Sequence, residues 1–250
     1  MRRYFFDGEL SAGLKITLEG ELFHHIFEVC RLQVGQHFEL LNDKNIAFLV
    51  VIESIEKKKA RVLTQEQRII PKIKEPHIYL YLSFPKISTF ESVIEKSVEL
   101  GVKKIIPVLS DFSFMRTLNQ FPELKIPRWK KIILQATQQS GRGDLMTIER
   151  VQFLTEVLPE IVKIEECLNV ISYEGETVHS LKSFISQKTS KNIKRINIFV
   201  GSEGGFSDSE LKTFKNLDLP PVSLGDQVLR VETACMTLVA SLKYEFDLLS

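Results

Sequence analysis

Two segments near the end of the chain combine glycines with charged and hydroxyl side chains in a pattern suited to binding a small molecule. The first, Gly201-Ser-Glu-Gly-Gly-Phe206, directly follows the apolar run Ile196–Val200, and the second is Leu224-Gly-Asp-Gln-Val-Leu-Arg-Val-Glu-Thr-Ala234. Glycines after a strand supply backbone freedom and bare amide groups that a ligand can approach. Two such loops close together in sequence predict one pocket built from both. For the first loop alone, a plain tight turn is an equally good interpretation.

Both loops are predicted to join a strand to a helix in an open α/β sheet, where ligands bind at the carboxyl ends of the strands. Ser207 and Glu210 have the spacing of a capping box, which predicts that a helix begins after the first loop. The last helix is predicted over Val231–Leu248, with one apolar stripe that packs either on its own sheet or on a partner subunit. That stripe consists of Val231, Ala234, Cys235, Leu238, Leu242 and Phe246.

The glycine pattern differs from the common nucleotide-binding motifs. A dinucleotide fingerprint requires Gly-x-Gly-x-x-Gly after the first strand, and a phosphate-binding loop requires a lysine after its last glycine. A hydrolase of the α/β type would show Gly-x-Ser-x-Gly. The chain contains none of these arrangements, which argues against an oxidoreductase or a hydrolase of these classes.

Taken together, the two loops resemble the signature loops of the SPOUT methyltransferases, specifically the family that methylates N3 of a uridine in bacterial 16S ribosomal RNA. That family usually shows Gly-Pro-Glu-Gly-Gly-Phe and Leu-Gly-x-Arg-Ile-Leu-Arg-x-Glu-Thr-Ala. The resemblance spans essentially the whole chain. Its other segments are Met1–Phe5, His24-His25, Arg31-Leu-Gln-Val-Gly35, Phe84-Pro-Lys-Ile-Ser-Thr-Phe90, Glu95–Val102 and Gln135–Gly143.

The resemblance implies an α/β fold in which a small PUA-like β-barrel precedes a SPOUT domain with a trefoil knot. The implied domains are 1–70 for the barrel, which binds RNA, 71–76 for a linker and 77–250 for the methyltransferase domain. The two prolines of Ile69-Ile-Pro-Lys-Ile-Lys-Glu-Pro76 independently favour an extended linker. The family also implies a homodimer, S-adenosyl-L-methionine as cofactor and the small ribosomal subunit as partner.

The resemblance further implies the roles of individual residues. Arg230 is expected to stabilise negative charge on the base, and Glu232 to orient that arginine or to stabilise the first turn of its helix. The cofactor is expected in a pocket formed by the loops Ser172–Gly175, Gly201–Gly205 and Leu224–Leu229. Its predicted contacts are Ser172, Tyr173, Gly201, Ser202, Glu203, Gly204, Gly205, Leu224, Gly225, Val228, Leu229, Thr233 and Ala234.

RNA contacts are implied for Arg2, Arg3 and Arg31 in the first domain, although the first two arginines could equally form a solvated terminus. His24 and His25 are instead expected to pack within the barrel. In the second domain, Lys86 stands between a strand and a helix, which is a natural place for a phosphate contact. Ser140 and Arg142 follow a helix end and are expected to meet RNA or a neighbouring subunit.

Four departures from the family pattern leave a second function open. Ser202 replaces a proline and is expected to loosen the loop, and Asp226-Gln227 replaces a Pro-Arg pair. Asp111-Phe-Ser113 replaces Glu-Arg-Ser, and Gln138 replaces a glutamate. Each missing guanidinium weakens the expected contact with phosphate or substrate. A catalytically silent relative that binds RNA or assists ribosome assembly is therefore the alternative to the enzyme.

Composition sets broad limits. The chain has 250 residues and a net charge of +1, so the whole molecule has no strong basic signature. Residues 71–150 hold 13 basic and 8 acidic residues, whereas residues 151–250 hold 10 and 14. The three cysteines have no metal-ligand spacing and predict neither a metal site nor a disulfide framework. The sequence shows no signal peptide and no membrane span, so a cytoplasmic protein is expected.

The first 70 residues are predicted to be mostly strand, and strand–helix alternation begins at His77, which predicts a parallel sheet. The predicted strands of the first part are Arg3–Phe6, Leu14–Leu18, His37–Leu41, Ile46–Ile55 and Ala60–Gln67, with a helix at Leu22–Arg31. The later strands are Ile78–Phe84, Lys103–Leu109, Met146–Phe153, Leu168–Tyr173, Ile196–Val200 and Pro221–Leu224. The remaining helices are Thr89–Leu100, Pro127–Gln139, Thr155–Ile164 and Val178–Gln187.

Overall fold

The computed structural model describes residues 2–42, 44–175, 179–188 and 192–249. These residues form two compact units. The first consists of Met1–Lys72 and Thr137–Asp144, and the second of Ile73–Ala136 and Leu145–Ser250. Val178, where a helix was predicted to begin, lies outside the described residues.

The first unit is built on a five-stranded sheet in the order β1-β3-β4-β5-β2. Its neighbours are antiparallel, except that β1 pairs parallel to β3. Strand β2 buries alternate residues, because successive side chains of a strand point to opposite faces. The strands are β1 (Arg3–Phe5), β2 (Lys15–Leu18), β3 (His37–Leu41), β4 (Ile46–Ile55) and β5 (Ala60–Ile69).

The helical turn of the first unit begins as a short α-helix, α1 (Gly20–Phe23), and continues as a π-helical segment, His24–Val29. Ile26 and Phe27 enter the hydrophobic core of the sheet. The expectation that both histidines pack inside is wrong for His24, whose side chain is 65% exposed and bonds Glu28. His25 does pack, with its ring edge-on to Tyr4 at a centroid distance of 5.7 Å.

Residues 137–144 belong to the first unit because they pack on its sheet. The Arg3 guanidinium donates a hydrogen bond to the main-chain carbonyl of Gly141. Gly143 lies so close to Ile70 that a Cβ at this glycine would fall 2.5 Å from the isoleucine side chain. Position 143 therefore favours glycine because its backbone lies close to the Ile70 side chain, and not because a turn requires it.

The second unit contains an eight-stranded sheet in the order β11-β13-β10-β12-β6-β7-β8, with β9 also paired to β7, and all of these pairs are parallel. The predicted strand Met146–Phe153 is divided into two short strands, because residues 149–151 interrupt its parallel pairing with β7 and shift the register by one residue. The strands are β6 (His77–Ser83), β7 (Lys104–Leu109), β8 (Thr147–Ile148), β9 (Gln152–Phe153), β10 (Cys167–Ser172), β11 (His179–Ser180), β12 (Arg195–Val200) and β13 (Pro221–Ser223).

Helices cover this sheet and bury two apolar clusters against it. The last helix packs on its own sheet and on the first helix of the unit, and most of its predicted apolar stripe is buried, with Phe246 half-buried. The helices are α2 (Ile87–Glu99), α3 (Ile126–Ser140), α4 (Leu154–Ile161), α5 (Leu181–Ser186), α6 (Asp208–Asn216) and α7 (Val231–Glu245).

Candidate active site

The carboxyl ends of three neighbouring parallel strands, β13, β10 and β12, bring three loops to one edge of the sheet. The loops enclose a cleft of about 450 Å³, counting the part open to solvent. A cleft at this edge is where open α/β sheets bind their ligands. Its lining consists of Ser172, Tyr173, Glu174, Val200, Gly201, Ser202, Gly205, Leu224, Gly225, Gln227, Leu229, Val231 and Ala234.

The first loop needs glycine at both of its ends. A Cβ at Gly201 would fall 2.7 Å from the backbone of Gly205, closer than real Cβ atoms come to backbone. Gly205 has a φ of +71°, in the left-handed region that glycine adopts without strain. Its amide donates a 2.9 Å hydrogen bond to the carbonyl of Ser202, which closes the turn. The loop is therefore a tight turn and also a wall of the cleft.

The same loop is fastened to the segment that follows β7. The buried Ser202 hydroxyl donates to the Phe112 carbonyl at 2.5 Å, which corrects the expectation that serine here loosens the loop. Asp111 accepts hydrogen bonds from the Ser207 and Ser209 hydroxyls, and its own amide donates to Glu210. The predicted capping box of Ser207 and Glu210 is present at the start of α6.

Glu203 points away from the cleft and stabilises the start of α2. Its carboxylate accepts hydrogen bonds from the Lys86 amide and from the Thr89 hydroxyl, both at 3.2 Å. Carboxylates are favourable at helix N-termini, where amides lack helical partners. Glu203 therefore joins the glycine loop to the helix that carries Lys86.

The loop after β13 brings the predicted catalytic residues to the cleft. Arg230 is exposed and lies at the N-cap of α7, between the cleft-lining Leu229 and Val231. Glu232 lies in the first turn of α7 and is half-buried. Gly225 has a φ of +122°, and the Ser223 hydroxyl bonds both its amide and its carbonyl at 3.1 Å.

Nine of the predicted cofactor contacts line the cleft, and four do not. Glu203 caps α2, Gly204 faces Phe112, Val228 is 78% exposed and Thr233 is exposed on α7. Four lining residues were not predicted individually. Glu174 and Gln227 lie inside loops that were identified from the sequence. Val200 and Val231 flank such loops, and this position could have identified them as lining residues.

The predicted RNA-contacting residues divide by exposure. Arg2, Arg31, Lys86 and Ser140 are exposed. The expectation of a surface contact is corrected for two arginines, because the structure buries them in ion pairs. Arg3 is 6% exposed and bonds Glu39 at 2.8 Å, and the Arg142 side chain is 5% exposed and bonds Asp144 at 3.1 Å.

No cysteine is among the described residues that line the cleft. Burial raises the pKa of the Cys167 thiol to about 11, and burial also raises the pKa of Cys235 above its ordinary value. Both thiols are therefore protonated near neutral pH. Among the described residues, no group of three or more His, Cys, Asp or Glu side chains could hold a metal ion. Nor do those residues include a helix long and apolar enough to cross a membrane.

Comparison with known sequences gives a family for both units. The profile of an RNA methyltransferase domain matches residues 73–243, and that of an RNA methyltransferase PUA domain matches residues 18–65. Ribosomal RNA small subunit methyltransferase E of Bacillus subtilis (strain 168) is 27% identical over 258 residues, 100% of this chain and 98% of that protein. The protein of the same name from Rickettsia conorii is 29% identical over 245 residues, 96% of this chain and 94% of its own.

Solved structures show the same fold. Ribosomal RNA small subunit methyltransferase E from Neisseria gonorrhoeae, bound to S-adenosyl methionine, has a TM-score of 0.80 at 24% identity, with 98% of both chains covered. A methyltransferase from Legionella pneumophila in complex with SAM has a TM-score of 0.81 at 27% identity, with 97% of both chains covered. These similarities confirm the predicted SPOUT-type α/β fold and the PUA-like domain. Because the domain profile matches well over half of its length, the chain belongs to the RNA methyltransferase family.

Proposed function

We propose that this protein transfers a methyl group from S-adenosyl-L-methionine to N3 of a specific uridine in the 16S ribosomal RNA of the small subunit. The observation that carries the proposal is the cleft at the ends of three parallel strands, with Arg230 held between two of its lining residues. The names of the Bacillus and Rickettsia relatives support the small-subunit substrate.

The cleft suits a cofactor that combines an adenosyl group with an amino acid. The close approach of Gly201 and Gly205 exposes main-chain groups where any side chain would fill the space. Apolar side chains and neutral polar groups form most of the remaining wall, namely Val200, Leu224, Leu229, Val231, Ala234, Ser172 and Gln227, and Glu174 is the charged residue of the lining.

The chemistry divides between the cofactor and the protein. When bound, S-adenosylmethionine supplies a methyl group on a positively charged sulfur, which keeps the electron pair of the broken bond. Uracil N3 carries a weakly acidic proton, so attack requires loss of that proton and leaves negative charge on the base. We assign Arg230 to stabilising this charge, because it is a cation that lies in the chain between two cleft-lining residues, Leu229 and Val231. Glu232, two residues later, orients Arg230 or stabilises the first turn of α7.

Target RNA must present the base outside its stack, so contacts with the surrounding backbone are needed. Arg2, Arg31, Lys86 and Ser140 are the exposed candidates for these contacts. Residues 1–70 would hold RNA, 71–76 would be the linker, and 77–250, apart from the segment 137–144 of the first unit, would form the methyltransferase domain. We further propose a homodimer, a trefoil knot in the second domain and a cytoplasmic location.

The first experiment is calorimetric titration of the purified protein with S-adenosylhomocysteine. Saturable binding, followed by formation of 3-methyluridine in small ribosomal subunits that lack the modification, would support the proposal. Binding without any methylation of free 16S RNA or of assembled subunits would show that the protein acts on a different substrate. If the protein bound RNA but not S-adenosylhomocysteine, the catalytically silent RNA-binding alternative would replace the enzyme.

A further inference from the structure

We infer that Glu174 makes the cleft select the positively charged methyl donor over its uncharged product. The inference rests on the proposed function and assigns a role to a residue that lies in a predicted pocket loop but was not itself predicted to contact the cofactor. Three features support it: the position of the carboxylate, the neutrality of the remaining lining, and the charge that is lost in methyl transfer.

Glu174 follows β10 by two residues and lies against the glycine loop. A Cβ built on Gly205 would fall 3.2 Å from the carboxyl carbon of Glu174. A glycine at position 205 therefore leaves the space that the carboxylate occupies at the wall of the cleft. Glu174 is exposed, and a ligand in the cleft would cover part of its carboxylate.

The charge of the lining is unbalanced. Among the thirteen lining residues, all of which the structure describes, Glu174 is the one with a formal charge at neutral pH. The nearby charged residues Asp226 and Arg230 are exposed and are not part of the lining, and Glu203 is turned toward α2. A ligand inside the cleft thus meets one carboxylate and otherwise neutral groups.

The donor and its product differ by one positive charge. S-adenosylmethionine carries a sulfonium, an ammonium and a carboxylate, for a net charge of +1. Its product carries a neutral thioether in place of the sulfonium and has no net charge. A carboxylate attracts the cation more strongly than the neutral product, and the attraction grows as the ligand excludes water from the cleft. Because the cleft is open to solvent, we expect the selection to be moderate and to weaken with salt.

The same charge predicts which kinetic constant depends on Glu174. The positive charge on sulfur decreases as the methyl group leaves, so the carboxylate stabilises the bound donor more than the transition state. Such an interaction lowers KM without raising kcat. It also favours release of the neutral product, which keeps the cleft available for the next donor.

The test is calorimetric binding of three ligands to the wild-type protein and to Glu174→Gln. The ligands are S-adenosylmethionine, sinefungin, which bears an ammonium in place of the sulfonium, and S-adenosylhomocysteine. We expect the variant to bind both cationic ligands about 5- to 10-fold more weakly and the neutral one almost unchanged, where tenfold corresponds to about 1.4 kcal/mol. The preference of the wild type for the cationic ligands should be weaker at high salt than at low salt. The preference of the variant should not change with salt.

Glu123→Gln is the matched control, because it makes the same change at an exposed residue outside the loops that line the cleft. Its preference among the three ligands should stay within about twofold of the wild type, well below the factor of 5–10 that charge removal inside the cleft should cause. An equal loss for all three ligands in Glu174→Gln, or no loss at all, would overturn the inference and leave the proposed function intact. If the wild type bound none of the ligands, the proposed function itself would fail.

Discussion

The hydroxyl of Ser202 and the main-chain carbonyl of Phe112 form a 2.5 Å hydrogen bond across 90 residues of sequence. Gly204 reinforces this connection, since a Cβ there would lie 2.9 Å from the Cβ of Phe112. The glycine loop is thus held by a neighbour that is remote in the chain. A serine can take the place of the family's proline here because it fixes the loop through a partner and not through its own backbone.

Ser202→Ala should weaken cofactor binding without unfolding the protein. The change removes one hydrogen bond, worth about 1 kcal/mol, and leaves the Phe112 carbonyl without this donor. Calorimetry with S-adenosylhomocysteine should show affinity about 3- to 10-fold lower, in line with 1.4 kcal/mol per factor of ten. Ser186→Ala is the control, because that hydroxyl bonds a carbonyl within α5, away from the cleft. Wild-type affinity in Ser202→Ala would show that the loop holds its shape without the bond.

Glu203→Ala should loosen the start of α2. The carboxylate accepts from the Lys86 amide and the Thr89 hydroxyl, and its loss leaves this amide unpaired. Hydrogen exchange at the Lys86 amide should accelerate about fivefold, which corresponds to about 1 kcal/mol. Exchange at Val98, near the other end of α2, serves as the internal reference. Glu203→Gln keeps an acceptor oxygen and should restore most of the protection; if it behaved like the alanine variant, negative charge and not the hydrogen bond would be responsible.

Arg230→Ala should abolish methyl transfer while leaving cofactor binding and folding intact. Its side chain is exposed at the N-cap of α7, so its removal opens no cavity. Loss of a preorganised group that stabilises developing charge typically costs about 100- to 1,000-fold in kcat. Single-turnover methylation of small subunits measures the effect. Arg150→Ala, at an exposed arginine between β8 and β9, is the matched control; full activity in Arg230→Ala would remove Arg230 from the mechanism.

Glu39 should contribute to stability in a way that depends on pH. Burial opposes its charged form, but hydrogen bonds and charges from Arg68 and Arg3 outweigh burial and lower the pKa of Glu39 below its ordinary value. A carboxylate with a lower pKa in the folded state stabilises the protein above its unfolded pKa. That stability is lost as the pH falls through the folded pKa.

Glu39→Gln should therefore lower the free energy of unfolding by about 3 kcal/mol at pH 7, because it leaves the buried Arg3 without its counter-charge. The difference from wild type should shrink below about pH 4, near the ordinary pKa of glutamate. Urea unfolding at pH 7 and pH 3.5 measures both values. Glu53→Gln is the control, since its pair with Lys15 is at the surface and should contribute under about 1 kcal/mol. A deficit in Glu39→Gln that stayed constant with pH would contradict this account.

Elements defined by local pattern were predictable from the sequence. Strands β3 and β4 begin and end where the apolar pattern placed them, and the capping box at Ser207 marks the start of α6. Two loops of the cleft were located from glycines that follow apolar runs, and the third, Ser172–Gly175, was located from the family resemblance. The single strand predicted over Met146–Phe153 is interrupted between β8 and β9, where the register against β7 shifts by one residue, and composition does not show such an interruption.

Features that depend on remote partners could not be predicted. The burial of Arg3 requires Glu39 and a carbonyl at Gly141, and neither is close in sequence. Ser202 was expected to loosen its loop because its partner carbonyl belongs to a distant segment. Glu203 belongs to the signature loop, yet its orientation toward α2 follows from the helix amides that it meets. The fate of a polar side chain is decided by tertiary contacts that no single stretch of sequence contains.

The segment 137–144 makes the first unit discontinuous in the chain. A fragment that ends at Lys72 would lose the hydrogen bond from Arg3 to the carbonyl of Gly141. It would also lose the close packing of Gly143 against Ile70. The amino-terminal unit is thus a split module, which a later piece of the polypeptide completes. During synthesis this unit could not complete its fold until more than sixty further residues had left the ribosome.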